Sequence, residues 1–491
     1  MNVAAILAQG AGMLQSLVVL RLLDPAVYGI WVGLMIVLSY GAYAQLGLEY
    51  GLGLLLPLYR GRNEPARVDA LTDTVFGSWS IVTALVSTGV IVFALVTNPT
   101  NELVRWGLIT VAIQLLLNQQ AGFFARWHGA ALMDFTTPSL FVVVQSLVSL
   151  AVVVPLVYIF GLKGLMLGVL IAAGIVCAGW YAKSPYRFHR LWTRELLRDA
   201  LSVGFPVMLV TFAGGLIQTI DRLIILSFLG ATALGYYGVT TLASGFLYGL
   251  LAQAGGAIAP HIGHELGRSG YESGGLRRFL IAPTIAFAYV STVMIALLLV
   301  GIPPIVRLLL PKYVPGLPAF VLFVPGFFFL AIILTANNIL NNIFVVRREK
   351  RFMLYIQALA IAVEAALAVS FIRLGFGIRG VALASTASYA VYGLMILVGA
   401  TRHVIPGNQN QLQFIALVFL PAIAAIPVLG ALFLVGTEAR HNHPLGAAIV
   451  QSAVVLLCAV LGLPWLQAKI GTNFTVSSIA QAFRAKVRPA Q

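Results

Sequence analysis

The stretch Gly204–Tyr237, GFPVMLVTFAGGLIQTIDRLIILSFLGATALGYY, decides how the chain is read. It is apolar for longer than the roughly 20 residues that cross a bilayer as a helix. It then enters the turn Leu229-Gly230-Ala231-Thr232-Ala233-Leu234-Gly235, after which apolar character resumes. Asp221 and Arg222 lie inside the apolar run. Ionisable side chains are costly in hydrocarbon, and where they occur they mark functional sites. Successive helical residues point about 100° apart, so the two are expected to face different neighbours.

The 491 residues are 60% hydrophobic and 9% charged, with a mean hydropathy of +0.97. Soluble domains are nearer half apolar and a quarter charged, so the chain is an all-α polytopic membrane protein. Hydropathy predicts about 14 spanning helices, near 3–22, 29–57, 73–97, 103–125, 138–160, 164–182, 204–229, 235–259, 279–301, 318–346, 354–373, 379–400, 412–436 and 446–467. With the N-terminus inside, 21 Lys and Arg fall on the cytoplasmic side and 8 outside, Arg222 being within a helix. The positive-inside rule then puts both termini in the cytoplasm. The same asymmetry accounts for the net charge of +15 with no nucleic acid as partner. The N-terminus lacks the basic region of a cleaved signal and reads as the first span. Cys177 and Cys458 lie in apolar runs and imply no disulfide framework.

Two internal matches reveal a repeat. Leu23–Gly29 (LDPAVYG) follows the first helix, and Leu229–Gly235 follows the seventh with the same Leu-to-Gly spacing, at an offset of 206. Gly161-Leu162-Lys163-Gly164-Leu165 and Gly377-Ile378-Arg379-Gly380-Val381 match at an offset of 216. Six helices per repeat, an even number, make parallel halves related by an axis along the membrane normal. The expected organisation is a six-helix bundle over 1–182, an amphipathic cytoplasmic linker over 183–203, a pseudo-symmetric six-helix bundle over 204–400, two extra C-terminal helices over 401–467, and an amphipathic tail over 468–491. In the linker, Arg187, Arg190, Arg194 and Arg198 share one helical face, with Phe188, Trp192 and Leu196 on another. In the tail, Val476, Ile479, Phe483 and Val487 form a stripe beside Arg484, Lys486 and Arg488. Both are expected to lie on the anionic inner leaflet.

The candidate site residues follow from burial cost and hydrogen-bonding chemistry. Glu49 in the second span, Asp221 and Arg222 in the seventh, and Glu364 in the eleventh point to a cavity that binds a charged substrate and couples to a cation. Carboxylates held in low dielectric take up protons more readily than in water, which makes Glu49 and Glu364 the cation-coupling candidates. Arginine suits phosphate because its planar fork donates bidentately and stays charged. Arg222 is the deepest, followed by Arg21 at the outer end of the first helix and Arg126 at the inner end of the fourth. For the last two, snorkelling to headgroups is an equal explanation. Gln114 with Asn118, and Asn337 with Asn341, lie four residues apart and form amide faces. Such faces suit sugar hydroxyls, or hydrogen bonds between helices. His261, His264 and Glu265 lack the order of a zinc hydrolase motif and read as a solvated loop, as do His441 and His443. No phosphate-binding loop and no catalytic serine or cysteine motif is present. Short outer loops argue against a membrane enzyme.

Arg21-Leu22-Leu23-Asp24-Pro25, Tyr28-Gly29-Ile30-Trp31, Ile220-Asp221-Arg222-Leu223, Phe228-Leu229-Gly230, Leu234-Gly235-Tyr236-Tyr237 and the Gly377–Val381 turn together resemble the polysaccharide flippases of the MOP superfamily. The resemblance covers nearly the whole chain. It implies a MATE-like fold, with a cationic cavity between halves that work by alternating access. It implies as substrate an undecaprenyl-diphosphate-linked oligosaccharide, moved across the bacterial inner membrane for O-antigen, capsule or exopolysaccharide synthesis. Asp221 and Arg222 match the family's seventh-helix motif; no further site residue transfers. Gln45, before Leu46-Gly47-Leu48, stands where many members carry aspartate, and Glu49 is a candidate substitute. The chain also lacks the basic lead of many members, compatible with a shortened start. No cofactor is implied; protons, sodium or membrane potential stand open as the energy source. Implied partners are inner-membrane lipids and polysaccharide polymerases or glycosyltransferases. Two other functions stand beside the flippase: a cation-coupled multidrug exporter of the same superfamily, and a membrane glycan polymerase or ligase.

Overall fold

The computed structural model describes residues 2–97, 99–186, 188, 191–249, 251, 276–347, 350–435 and 444–470. Every regular element among them is helical. The chain divides into two compact units, Met1–Leu242 and Ala243–Gln491.

The first unit holds α1 (Asn2–Leu22), α2 (Pro25–Gly41), α3 (Leu48–Gly61), α4 (Pro65–Val96), α5 (Glu102–Ala131), α6 (Thr136–Lys183), α7 (Arg194–Ile217) and α8 (Ile220–Tyr236). α9 (Gly238–Gly249) carries the division. The second unit holds α10 (Arg277–Leu309), α11 (Leu317–Phe323), α12 (Gly326–Arg347), α13 (Lys350–Arg373), α14 (Gly377–Val404), α15 (Asn408–Val435) and α16 (Pro444–Ile470). Local sequence sets the starts. Pro25 and Pro65 occupy first helical positions, where the missing N–H costs nothing. Asn101 accepts the Leu103 N–H at 3.0 Å and caps α5.

Among the described residues, ten helices suffice by length and composition to cross a membrane, or twelve if each of two bent pairs is one crossing. α6 crosses twice. Its 48 residues would reach about 72 Å if straight, more than twice the hydrocarbon thickness. At Gly161 the backbone leaves helical geometry (φ 58°, ψ −133°), and Gly164 and Gly168 pack back on Leu156 and Val153. α1 is 21 residues long, and its stretch Leu7–Leu22 is apolar but shorter than the other candidate spans. Gly377, the repeat counterpart of Gly161, has nearly the same φ, 55°. Both matched turns therefore use the left-handed conformation that glycine tolerates.

Three expected spans are broken. The second bends through a 3-10 turn at Ala42–Gln45 and left-handed Leu46 and Gly47. Gln45 makes the restart: its buried Oε1 accepts the N–H of Gly47 at 2.6 Å and of Glu49 at 3.3 Å, capping α3. The seventh breaks at Gln218–Thr219, between α7 and α8. The tenth bends by 52° between α11 and α12, where Pro325 removes a donor.

The linker also departs from expectation. Residues 184–186 and 191–193 are not helical, and α7 begins only at Arg194; Arg187 and Arg190 lie outside the described residues. Pro185 disfavours helix continuation, and buried Asp73 of α4 supplies a competing partner. Its carboxylate accepts from Tyr186 Oη at 2.7 Å and from the Leu191 N–H at 2.9 Å. Thr74 Oγ1 accepts the Thr193 N–H at 3.1 Å. Burial and the Asp73 contact push the Tyr186 phenol well above its usual range. Asp73→Ala leaves these donors unmatched and is expected to cost about 2–3 kcal/mol, read as a lower melting temperature in detergent. The tail beyond Ile470 lies outside the described residues.

Asp134 organises the corner between α5 and α6. Hydrogen bonds from Thr137, then from His128 and the Thr136 N–H, hold its carboxyl far below the usual carboxylate range. A depressed carboxyl stabilises the fold above its ordinary pKa of 3.8 and loses that contribution as pH falls below it. Asp134→Ala is therefore expected to lower thermal stability at pH 7 and to flatten the decline on the acid side. Melting curves from pH 7 to pH 3 check both.

Candidate functional site

Two charged pairs occupy different places in the first unit. The inner one joins α3 to α5. Glu49 stands in the first turn of α3, with Gly61 at the far end; twelve residues at 1.5 Å each place it about 18 Å along the helix from Gly61. Arg126 Nη2 donates to Glu49 Oε1 in an ion pair. The pair faces a cavity of about 650 Å³ between α3, α5 and the start of α6. The other walls are small or apolar, among them Gly53, Gly122, Gly129, Phe135 and Val142. Arg126 is 41% and Glu49 33% exposed, so both reach the open space.

The outer pair lies just beyond the break in the seventh span. Asp221 is buried in the first turn of α8. Its Oδ1 accepts the Arg222 N–H at 2.7 Å and lies 4.0 Å from Arg222 Nε. The two side chains therefore approach each other rather than facing apart. Both sit at a helix start and not within a continuous helix, where backbone N–H groups are free to meet Asp221. Tyr237 lies beside Asp221, and Tyr28 and Tyr40 lie in the field of Arg222. Arg222 Nε is buried and has no hydrogen-bond acceptor among the described residues. This is an unmet donor suited to an anion.

A strip of hydroxyls runs between the pairs, a feature the sequence reading missed. Tyr40 bonds Thr219, Tyr43 donates to the Thr211 carbonyl at 3.4 Å, and Tyr50 meets the Thr211 hydroxyl. Phe212 packs edge-on against Tyr40 and Tyr43. The only sequence signal was the recurrence of tyrosine at 40, 43 and 50 in an apolar segment.

The remaining candidates are dispersed. Arg21 is exposed in the last turn of α1 and joins neither pair. Gln114 and Asn118 are half-buried on α5, and Gln114 Oε1 accepts nothing among the described residues. Their neighbours carry the structure instead. Gln119 accepts from Trp79 Nε1 at 2.9 Å and donates to the Ala42 carbonyl at 2.7 Å, holding the α2–α3 break. Gln120 donates to Ser80 and accepts from Tyr181. In the second unit, Glu364 is fully buried in α13 and Asn337 half-buried in α12. The Asn341 side chain, His261, His264, Glu265, His441 and His443 lie outside the described residues. Among the described residues no cluster could hold a metal.

α8, which carries the Asp221–Arg222 pair, also makes a symmetric contact with α2. α2 packs on α8 so closely that a Cβ on Gly29 would overlap the Ala231 carbonyl, and one on Gly235 the Pro25 carbonyl. At the 206-residue offset Ala231 is the counterpart of Pro25, and Gly235 of Gly29. The two copies of the motif thus meet through equivalent positions, as in an isologous interface.

Residues 2–264 match the profile of a family described as polysaccharide biosynthesis protein. Among solved structures, the lipid II flippase MurJ in an inward closed conformation superposes with a TM-score of 0.66 at 14% identity, over 95% of this chain and 99% of that one. An inward-facing multidrug resistance MATE transporter of the MOP superfamily gives 0.58 at 16%, over 82% and 94%. A MATE transporter from Vibrio cholerae gives 0.58 at 16%, over 85% and 95%. These likenesses are of fold. Comparison with curated protein sequences gives no match.

Proposed function

Since the chain belongs to the polysaccharide biosynthesis protein family, we propose that it is a flippase carrying a polyprenyl-diphosphate-linked oligosaccharide across the bacterial inner membrane. The observation that best supports this reading is the Glu49–Arg126 pair facing an otherwise small and apolar cavity. Arginine can hold a diphosphate bidentately, and a diphosphate carries more charge than the carboxylate it displaces. Glu49 would keep Arg126 placed when the cavity is empty. On loading it would be released as the group that takes up a proton or sodium ion. The Tyr and Thr strip offers neutral hydrogen-bonding partners to sugars, and Arg222 offers a second cationic station nearer the outer side. In the second unit an apolar cavity of about 410 Å³ between α10, α15 and α16 suits the polyprenyl chain. Export of cationic drugs would favour carboxylates in excess of cations; the inner cavity has one of each.

The reading is tested by deleting the gene, blocking any redundant flippase and extracting polyprenyl-linked lipids. Completed glycan lipid trapped on the inner leaflet is the expected result. Glycan lipid that still reaches the outer leaflet would contradict it. Cells that instead become sensitive to cationic dyes would favour drug export.

A further inference from the structure

At one end of the second unit, positive charge converges on an apolar cavity of about 500 Å³. Arg307 enters from the last turn of α10 and Arg379 from the first turn of α14. Pro303, Pro318, Leu322 and Phe433 are among its walls. No carboxylate lines it among the described residues, and neither guanidinium has an ion-pair partner among them. Arg379 stands at the positive end of the α14 dipole, where a cation is disfavoured. Both guanidiniums are exposed at the rim of the cavity, so an anion at its mouth would meet two planar donor forks beside apolar walls. The charge asymmetry of the sequence assigns this end to the outer side.

We propose that this cavity binds the phosphate-bearing head of an anionic membrane lipid, with the hydrocarbon chain along its apolar walls. Guanidinium forks match phosphate oxygens, and no carboxylate lines the cavity among the described residues. The site lies in the second unit, apart from Glu49 and Arg126, and stands whether or not the chain moves a glycan. Two lipids present this chemistry, an anionic phospholipid and a polyprenyl diphosphate.

The test uses the purified full chain and native mass spectrometry. It is incubated with phosphatidylglycerol, with undecaprenyl diphosphate, or with zwitterionic phosphatidylethanolamine. Retention of an anionic lipid over phosphatidylethanolamine is expected, falling about tenfold or more in Arg307→Gln/Arg379→Gln. Arg373→Gln, an exposed cation just before α14 that does not line the cavity, should retain it as wild type does. Val321→Trp fills the cavity with both charges kept and should also lose the lipid; it serves if the double variant does not fold. Tighter retention of phosphatidylglycerol identifies a structural lipid, and of undecaprenyl diphosphate a station for a carried one. Equal retention by wild type and both cavity variants overturns the proposal. So does binding of inorganic pyrophosphate with no lipid retained.

Discussion

Arg126→Gln is expected to abolish glycan export while leaving the protein in the membrane at its normal level. The two effects separate because of exposure. The Glu49–Arg126 pair opens on its cavity, so its contribution to folding is screened and small, about 0–1 kcal/mol. A desolvated diphosphate that loses its guanidinium partner forfeits about 2–5 kcal/mol, roughly a 30-fold loss of affinity or more. Arg126→Lys keeps the charge without the fork and should fall between. Glu49→Gln should leave loading intact and slow the cycle. Surface glycan in a complemented deletion strain, with immunoblots for protein level, reads all three. Normal surface glycan from Arg126→Gln would remove this arginine from the mechanism.

The second large effect is on folding. Gly29→Ala places a methyl group into the Ala231 carbonyl, and Gly235→Ala does the same to the Pro25 carbonyl. Backbone meets backbone there, so no rotamer change relieves the overlap. Each is expected to cost about 1–3 kcal/mol or more. The double variant should cost less than the sum, because helices pushed apart by one methyl already make room for the other. Gly10→Ala, with open space around it, should be neutral or mildly stabilising. Melting in detergent followed by fluorescence-detected size exclusion separates these. A wild-type melting point for Gly29→Ala would mean that α2 and α8 do not pack through equivalent positions.

Much of this fold was legible because membrane helices announce themselves by composition and repeats by spacing. The 206- and 216-residue offsets exposed the repeat, but not that Pro25–Gly29 and Ala231–Gly235 pack on each other; the second offset marked two turns whose glycines share a positive φ. The breaks at 42–47 and 218–219 were not legible. Hydropathy is continuous across both, and the first depends on the Gln45 side chain finding two amides. In the linker Pro185 was a visible signal. The partner that holds the segment, Asp73, lies more than a hundred residues earlier. Glu49 and Arg126 each stood out by charge in an apolar setting. Their pairing spans 77 residues and three helices, and only packing brings them together. The hydroxyl strip was hardest to see, because tyrosine and threonine are unremarkable singly and acquire meaning only when two helices align them.

Reconstitution tests the transport claim most directly. Purified protein is placed in liposomes with a short polyprenyl-diphosphate oligosaccharide carrying a fluorescent sugar, and an impermeant reductant is added outside. The expected result is that fluorescence from both leaflets is lost with wild-type protein. With Arg126→Gln, or without protein, only the outer-leaflet share should be lost. Wild-type protein that protects the inner-leaflet share as well as empty liposomes do would contradict the flippase reading.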